Sequence, residues 1–192
     1  LLQLFKAFNK FVILLWRLGI GPSMGMYPEK TGQFLVMVHT GRLTGKTRYT
    51  PVNYARVEDE LYVTAGFGEA AHWYKNIMAN PNIEVWVDNE RWHALAEDVS
   101  DHPDRLRLLR EVLMGSGFAA VLAGLDPRKL NDEELNAGSE KYRLVHLRRC
   151  EALTGDGGPG DLAWVWPNAA GVLLVLALAG WLRKPRGTEE RK

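Results

Sequence analysis

Hydrophobic and polar positions change rhythm along the chain, and the rhythm predicts its elements. Residues 34–40 (FLVMVHT) form a nearly continuous apolar run, the pattern of a buried strand. Residues 48–57 predict a second strand, Glu58-Asp59-Glu60 a polar turn, and residues 61–65 a third, together a meander. Residues 83–87 alternate, turn at Asp88-Asn89, and pair with residues 91–99; residues 142–147 supply the last strand. Two helices interrupt. Residues 71–79 end at Asn80-Pro81. Residues 103–114 start with Asp101 as cap and Pro103 in the first turn, with Leu106, Leu109 and Leu113 as an apolar stripe. Some six strands in hairpins with inserted helices predict an α+β domain, a small closed or split β-barrel over residues 30–150.

The two ends follow other patterns. Residues 1–22 are rich in Leu, Phe and Ile, but Lys6, Lys10 and Arg17 sit at spacings of four and seven on one helical face. This predicts an amphipathic helix, either lying in a membrane interface or packed on the domain. Residues 151–162 are glycine-rich and predict a flexible linker. Residues 163–182 (AWVWPNAAGVLLVLALAGWL) carry no charge, with Trp164 and Trp166 at one end and Trp181 at the other. Twenty such residues predict a transmembrane helix and a single-pass C-terminal anchor in the cell membrane. The tail 183–192 holds five basic and two acidic residues. The positive-inside rule would place that tail in the cytoplasm and the domain outside, though the reverse arrangement is equally buildable.

Composition narrows the classes. The chain has 192 residues, with 24 Lys and Arg against 23 Asp and Glu, a net charge of +1. Nucleic-acid binders of this size are far more basic, so nucleic acid is set aside as a partner. The single cysteine, Cys150, excludes an intramolecular disulfide framework and any multi-Cys metal site. The five histidines, His39, His72, His93, His102 and His146, lack ligand spacing, so each reads as structural or exposed and no metal site is expected.

Candidate chemistry concentrates between residues 39 and 80. The loop His39-Thr40-Gly41-Arg42-Leu43-Thr44-Gly45-Lys46-Thr47-Arg48 combines three Arg and Lys cations with two glycines and several hydroxyls. Glycines present backbone N–H groups, cations neutralise charge and threonines donate hydroxyls, a chemistry suited to a phosphate or polycarboxylate. It is not a P-loop, because the spacing differs and a strand follows. An ordinary solvated hairpin explains the same residues. Gly66-Phe67-Gly68 ends the third strand, where two glycines beside an aromatic would admit a flat ligand. Trp73 and Asn76, three apart, share a helical face.

These features in this order resemble the deazaflavin (F420)-dependent nitroreductase and quinone reductase family of split-barrel proteins. The matching residues are Gly41-Arg42, Thr44-Gly45 and Arg48, then Thr50-Pro51-Val52, Ala65-Gly66 with Gly68, Trp73-Tyr74 with Asn76, and Ala79-Asn80-Pro81. The resemblance covers about residues 30–100 and weakens toward 148. It implies coenzyme F420 as cofactor, with Arg42, Thr44, Gly45 and Lys46 on the phosphate and glutamyl tail. Arg48, Trp73 and Asn76 join the cofactor site as matched positions; Pro51 and Val52 flank it, and Ala65, Gly66, Phe67 and Gly68 line the ring. The cofactor would supply hydride and the protein position and electrostatics. Tyr54, Tyr74 and Tyr142 are candidate proton donors by type. Leu43 stands where many relatives carry a second cation, and the stretch after the third strand departs from the usual glycine-rich form.

Joined to the apolar ends, the resemblance implies a membrane-anchored F420H2-dependent reductase passing hydride to menaquinone or a nitro compound. Its domain would be cytoplasmic if it uses F420, which is generated there. Two alternatives share the fold: a non-catalytic accessory subunit of a membrane complex, and a split barrel holding FMN or haem.

Overall fold

The computed structural model describes residues 2–21 and 32–182. Six strands are present: β1 (Phe34–Thr40), β2 (Thr47–Val57), β3 (Glu60–Ala65), β4 (Asn82–Val87), β5 (Glu90–Asp98) and β6 (Arg143–Ala152). All pairings are antiparallel, and the strands close into a barrel in the order β1-β2-β3-β6-β5-β4. Closure leaves no sheet edge open, because β1 bonds to β2 on one side and β4 on the other. Period-two alternation sends Leu35 and Met37, Val52 and Tyr54, Leu61 and Val63, and Val85 and Val87 into one interior core.

Two of the expected turns close hairpins by the same device. Glu58 and Asp59 hold φ of 54° and 66°, and Asp88 and Asn89 hold 51° and 67°. Two consecutive left-handed residues are the turn that matches the right-handed twist of flanking strands.

Three longer helices and two short ones surround the barrel: α1 (Leu2–Arg17), α2 (His72–Ala79), α3 (Arg105–Gly115), α4 (Phe118–Leu122) and α5 (Asp132–Gly138). α1 packs on the outer face of β1 and β4, where Val12 and Trp16 bury against Val36 and Trp86. Its other side leaves Phe8, Phe11 and Leu14 exposed. α3 starts two residues later than expected, and Asp101 does not cap it. Pro103 lies instead in a turn, where the Asp104 N–H donates to His102 Nδ1 at 3.1 Å. Its stripe is also wider than expected. Leu108 and Val112 face Ala55 and Leu144, while Leu109 and Leu113 face Leu125 and Leu135. α4 and α5 lie in a stretch where no element was expected. α5 opens with a reciprocal cap, in which Asn131 accepts from the Glu134 N–H and Glu134 accepts from the Asn131 N–H.

The C-terminal expectations need correction. A last helix, α6, covers Val165–Leu182. Among the described residues no helix is long and apolar enough to cross a membrane. Ala163 and Trp164 lie ahead of α6, and Pro167 and Asn168 occupy its first turn. The apolar stretch left is residues 169–182, which at 1.5 Å per residue reaches only about 21 Å against a bilayer core of about 30 Å. The segment ahead of it is tied down rather than loose. The Gly160 N–H donates to Trp16 O at 2.9 Å and the Leu162 N–H to Arg17 O at 2.8 Å. Asp161 accepts from Arg17 Nε and Nη2 at 3.0 and 2.9 Å, and Trp166 Nε1 donates to Leu18 O at 2.9 Å. Gly158, at φ +117°, lies where a Cβ would fall 2.1 Å from the Arg91 side chain. That glycine is a packing requirement, not slack. The charged tail 183–192 lies outside the described residues.

The hairpin turns give a stability test. A non-glycine residue in the left-handed region carries roughly 1 kcal/mol of strain that glycine avoids. Asp59→Gly with Asn89→Gly raises the thermal midpoint by about 2–4 °C for each kcal/mol recovered, read by circular dichroism. An unchanged or lower midpoint contradicts this reading of the turns.

Candidate functional site

The site is built where β1 and β2 run out of core. The inward positions of β1 are Leu35, Met37 and then His39, and those of β2 are Tyr54, Val52 and then Thr50. The interior thus changes from apolar to polar at one end of the barrel. Between the strands the chain makes a tight loop, in which the Gly41 N–H donates to Lys46 O at 2.8 Å and the Gly45 N–H to Gly41 O at 2.8 Å. Arg42, Leu43, Thr44, Lys46 and Arg48 all stand exposed on it.

α2 lies across this end and presses Ile77 into the barrel core. Next to it on α2, Asn76 is buried. Its Oδ1 accepts from the Arg42 N–H at 3.2 Å and from Arg42 Nη1 at 3.1 Å. Its Nδ2 lies 3.4 Å from His39 Nδ1, and His39 Nε2 lies 3.0 Å from Thr50 Oγ1. His39 is only 4% exposed. Burial pushes its imidazole below the ordinary histidine pKa, and the positive Arg48 adds to the shift, while a bond with the Thr40 backbone opposes it.

A groove of about 530 Å³ opens over this network. Arg42, Thr44 and Arg48, His72 and Trp73 of α2, and Asn9 of α1 line it. Among the described residues Arg42, Lys46 and Arg48 pair with no carboxylate. A second cavity of about 260 Å³ also holds two arginines, Arg56 and Arg128, but Glu111 shares its lining and Arg56 pairs with Asp88. Uncompensated positive charge in a concave site makes the first groove the stronger candidate for an anion site.

Of the residues expected at the cofactor, Arg42, Thr44, Arg48, Trp73 and Asn76 come together on this groove. Gly45 and Lys46 belong to the same loop but face outward. Pro51 and Val52 do not line it, and Val52 is a core residue of the barrel. Ala65, Gly66, Phe67 and Gly68 do not line it either. Ala65 is in the core and Phe67 is 84% exposed. A Cβ on Gly66 would touch the Tyr142 ring at 3.4 Å, and one on Gly68 would fall 2.1 Å from Lys141 O. Those glycines admit residues 141–142 rather than an open space.

None of the three candidate tyrosines lines this groove. Tyr54 is buried in the barrel, and burial raises its phenol. Tyr142 is half-buried and likewise raised by burial. The Tyr74 hydroxyl donates to the Asp98 carboxylate. Burial first, and that bond second, push the Tyr74 phenol up to about 12. Sequence reasoning missed His39, Thr50 and Asn9. His39 and Thr50 were readable from period-two counting, since each continues an inward row; Asn9 carried no signal.

The sequence profile described as F420H(2)-dependent quinone reductase matches residues 21–119. The F420H(2)-dependent quinone reductase Rv1261c of Mycobacterium tuberculosis is 36% identical over 78 residues, 38% of this chain and 52% of that protein. A putative F420H(2)-dependent quinone reductase of Mycobacterium bovis, Mb1292c, matches to the same extent. The chain thus spans about half the length of the curated relatives it matches. Among solved structures, an F420-H2 dependent reductase (FDR-A) gives a TM-score of 0.42 at 16% identity, over 60% of this chain and 93% of that one. The hypothetical protein Rv2991 of Mycobacterium tuberculosis gives 0.45 at 15%, over 62% and 74%.

Tyr74 gives a test by titration. A phenol raised from 10 to about 12 favours the fold below pH 10, and that contribution is lost as pH rises through 10 toward 12. In phenolate absorbance, Tyr74→Phe removes a group titrating near 12. Between pH 9 and 11 it flattens the fall in urea stability. Loss of a group titrating near pH 10 contradicts the Tyr74–Asp98 bond.

Proposed function

The chain belongs to the F420H2-dependent quinone reductase family, and we propose that it passes hydride from F420H2 to a quinone or nitro-type acceptor beside a lipid surface. The family makes coenzyme F420 its cofactor, which sets aside FMN and haem. The observation that carries the reading is the pair Arg42 and Arg48 on one groove, without a carboxylate partner among the described residues. The donor set fits the anionic end of such a cofactor. Two guanidiniums and the Thr44 hydroxyl would hold phosphate or carboxylate oxygens, and Trp73 and Tyr49 offer aromatic faces beside them.

When bound, F420H2 supplies the hydride; the protein's own work is placement and charge. Asn76 fixes Arg42 from behind, so the guanidinium meets its anion with less conformational freedom to lose. Tyr74 is unsuited to proton donation, because Asp98 holds its proton and its pKa is high.

Two exposed apolar features support lipid as the partner. On α6, Val172, Leu173, Leu174, Val175, Leu176 and Leu178 are all more than half exposed, all around the helix. Water disfavours such a surface, and lipid would cover it. α1 carries Phe8 and Phe11 exposed, and the next residue after Phe8, Asn9, lines the groove. One helix thus runs from an apolar face to the cofactor groove. A lipid-soluble quinone such as menaquinone could enter along it.

Two measurements test the reading. Arg42→Ala and Arg48→Ala each weaken F420 binding by about 10–100-fold in cofactor-fluorescence titration, the scale of one charge-assisted contact. Wild-type protein floats with lipid vesicles and oxidises F420H2 faster when those vesicles carry menaquinone. Leu173→Glu with Leu176→Glu stops flotation and leaves F420 binding intact. Wild-type affinity in both arginine variants, or no flotation of the full chain, contradicts the proposal.

A further inference from the structure

We propose that His39 is a positioning residue for the cofactor groove: its neutral imidazole, protonated on Nε2, holds the Asn76 amide in the one orientation that aims Arg42. The inference rests on Arg42 as the holder of the cofactor's anionic end, and it adds a pH-dependent control of that end.

The hydrogen-bond inventory fixes the arrangement. Asn76 Oδ1 faces two donors, the Arg42 N–H and Nη1, so the oxygen must lie on that side. Nδ2 then faces His39 Nδ1 as a donor, and Nδ1 must accept. The remaining ring proton is on Nε2, which donates to Thr50 Oγ1 at 3.0 Å. Each ring nitrogen of His39 and each end of the Asn76 amide then has a partner, and the bond with the Thr40 backbone is the one contact that favours the charged ring.

Protonation breaks this order. With a proton on Nδ1 as well, the imidazolium N–H meets the amide NH2, donor against donor. If the amide turns over to accept from His39, it presents its NH2 to the Arg42 N–H and guanidinium. Either way Arg42 loses its support. The charged surroundings oppose protonation. Arg48 is the register partner of His39 on β2, Arg42 lies behind Asn76, and His72 stands at the start of α2. On β4, the other neighbour of β1, Glu84 is engaged by Arg91 and Trp86 on the outer face. From the described side chains of α1, neutral Asn9 lines the groove. Among the described residues no carboxylate lines the groove to stabilise an imidazolium, in line with the lowered pKa of His39. The control therefore acts below the ordinary histidine range.

The test uses the full chain without cofactor, then with F420. Nitrogen-15 imidazole shifts report the tautomer, and the Arg42 Nε–H signal reports side-chain order. The expected results are an Nε2–H tautomer at pH 8 and loss of Arg42 order as His39 protonates. F420 affinity then falls about tenfold over the same step, on the scale of one lost charge-assisted bond. His39→Asn keeps an acceptor facing Asn76 but cannot titrate. Its F420 affinity follows only the ligand's own titration, so the extra pH step of the wild type disappears. Asn76→Ala weakens binding at every pH and abolishes the step. An Nδ1–H tautomer, or the same pH profile in wild type and His39→Asn, overturns the proposal. If Arg42 order follows His39 but wild-type protein binds no F420, the relay stands and the cofactor reading falls.

Discussion

The Asn76 amide is buried between α2 and the end of β1, and both of its ends are engaged by protein groups. Its oxygen takes both donors of Arg42, and its nitrogen faces His39. An unmade bond at such a site costs on the order of 1–3 kcal/mol, so the amide constrains everything around it. The loop must bring the Arg42 backbone to α2, α2 must lie across the barrel end, and His39 must present an acceptor. The groove is a consequence of meeting those three conditions together.

The barrel supplies the rigidity that makes the constraint useful. β1 is bonded on both sides, and its inward row runs from Leu35 and Met37 to His39 without a break. The polar end of that row is held by β2, with His39 opposite Arg48 one residue past the last β4 partner, Val38. Ile77 and Asn76, adjacent on α2, divide the labour: one seals the apolar interior and the other organises the polar mouth. On the outside, α1 uses Val12 and Trp16 to grip the barrel and Arg17 to hold Asp161 at the approach to α6. The two apolar helices are thus connected to the groove through packed structure rather than a slack tether.

The strands were legible because period-two alternation is a local signal, and the turns at residues 58–59 and 88–89 were legible from their polarity. The start of α3 was misread because Asp101 and Pro103 form a motif that serves a turn as well as a helix. α4 and α5 passed unread although Asn131 and Glu134 stand at capping-box spacing. The cation loop was visible as chemistry, but its backing was not. His39 looked like an isolated histidine until strand parity placed it inward beside Thr50. Gly66 and Gly68 invited a ligand in the sequence, whereas in the fold Tyr142 and Lys141 fill that space. Tertiary contact of residues 70 apart leaves no local trace. The same holds for Gly158 and Gly160 after β6, which read as flexibility; the first makes room for the Arg91 side chain and the second bonds to Trp16 O of α1.

The central claim is that the groove over Asn76 seats F420, and amide and side-chain shift mapping during F420 titration tests it most directly. The account predicts that the Asn76 side-chain amide, the Trp73 indole and the backbone of Arg42, Thr44 and Arg48 move together with one affinity. Shifts confined to residues 66–68 and Tyr142, or to the Arg56–Arg128 cavity, with the Asn76 amide unmoved, would contradict it.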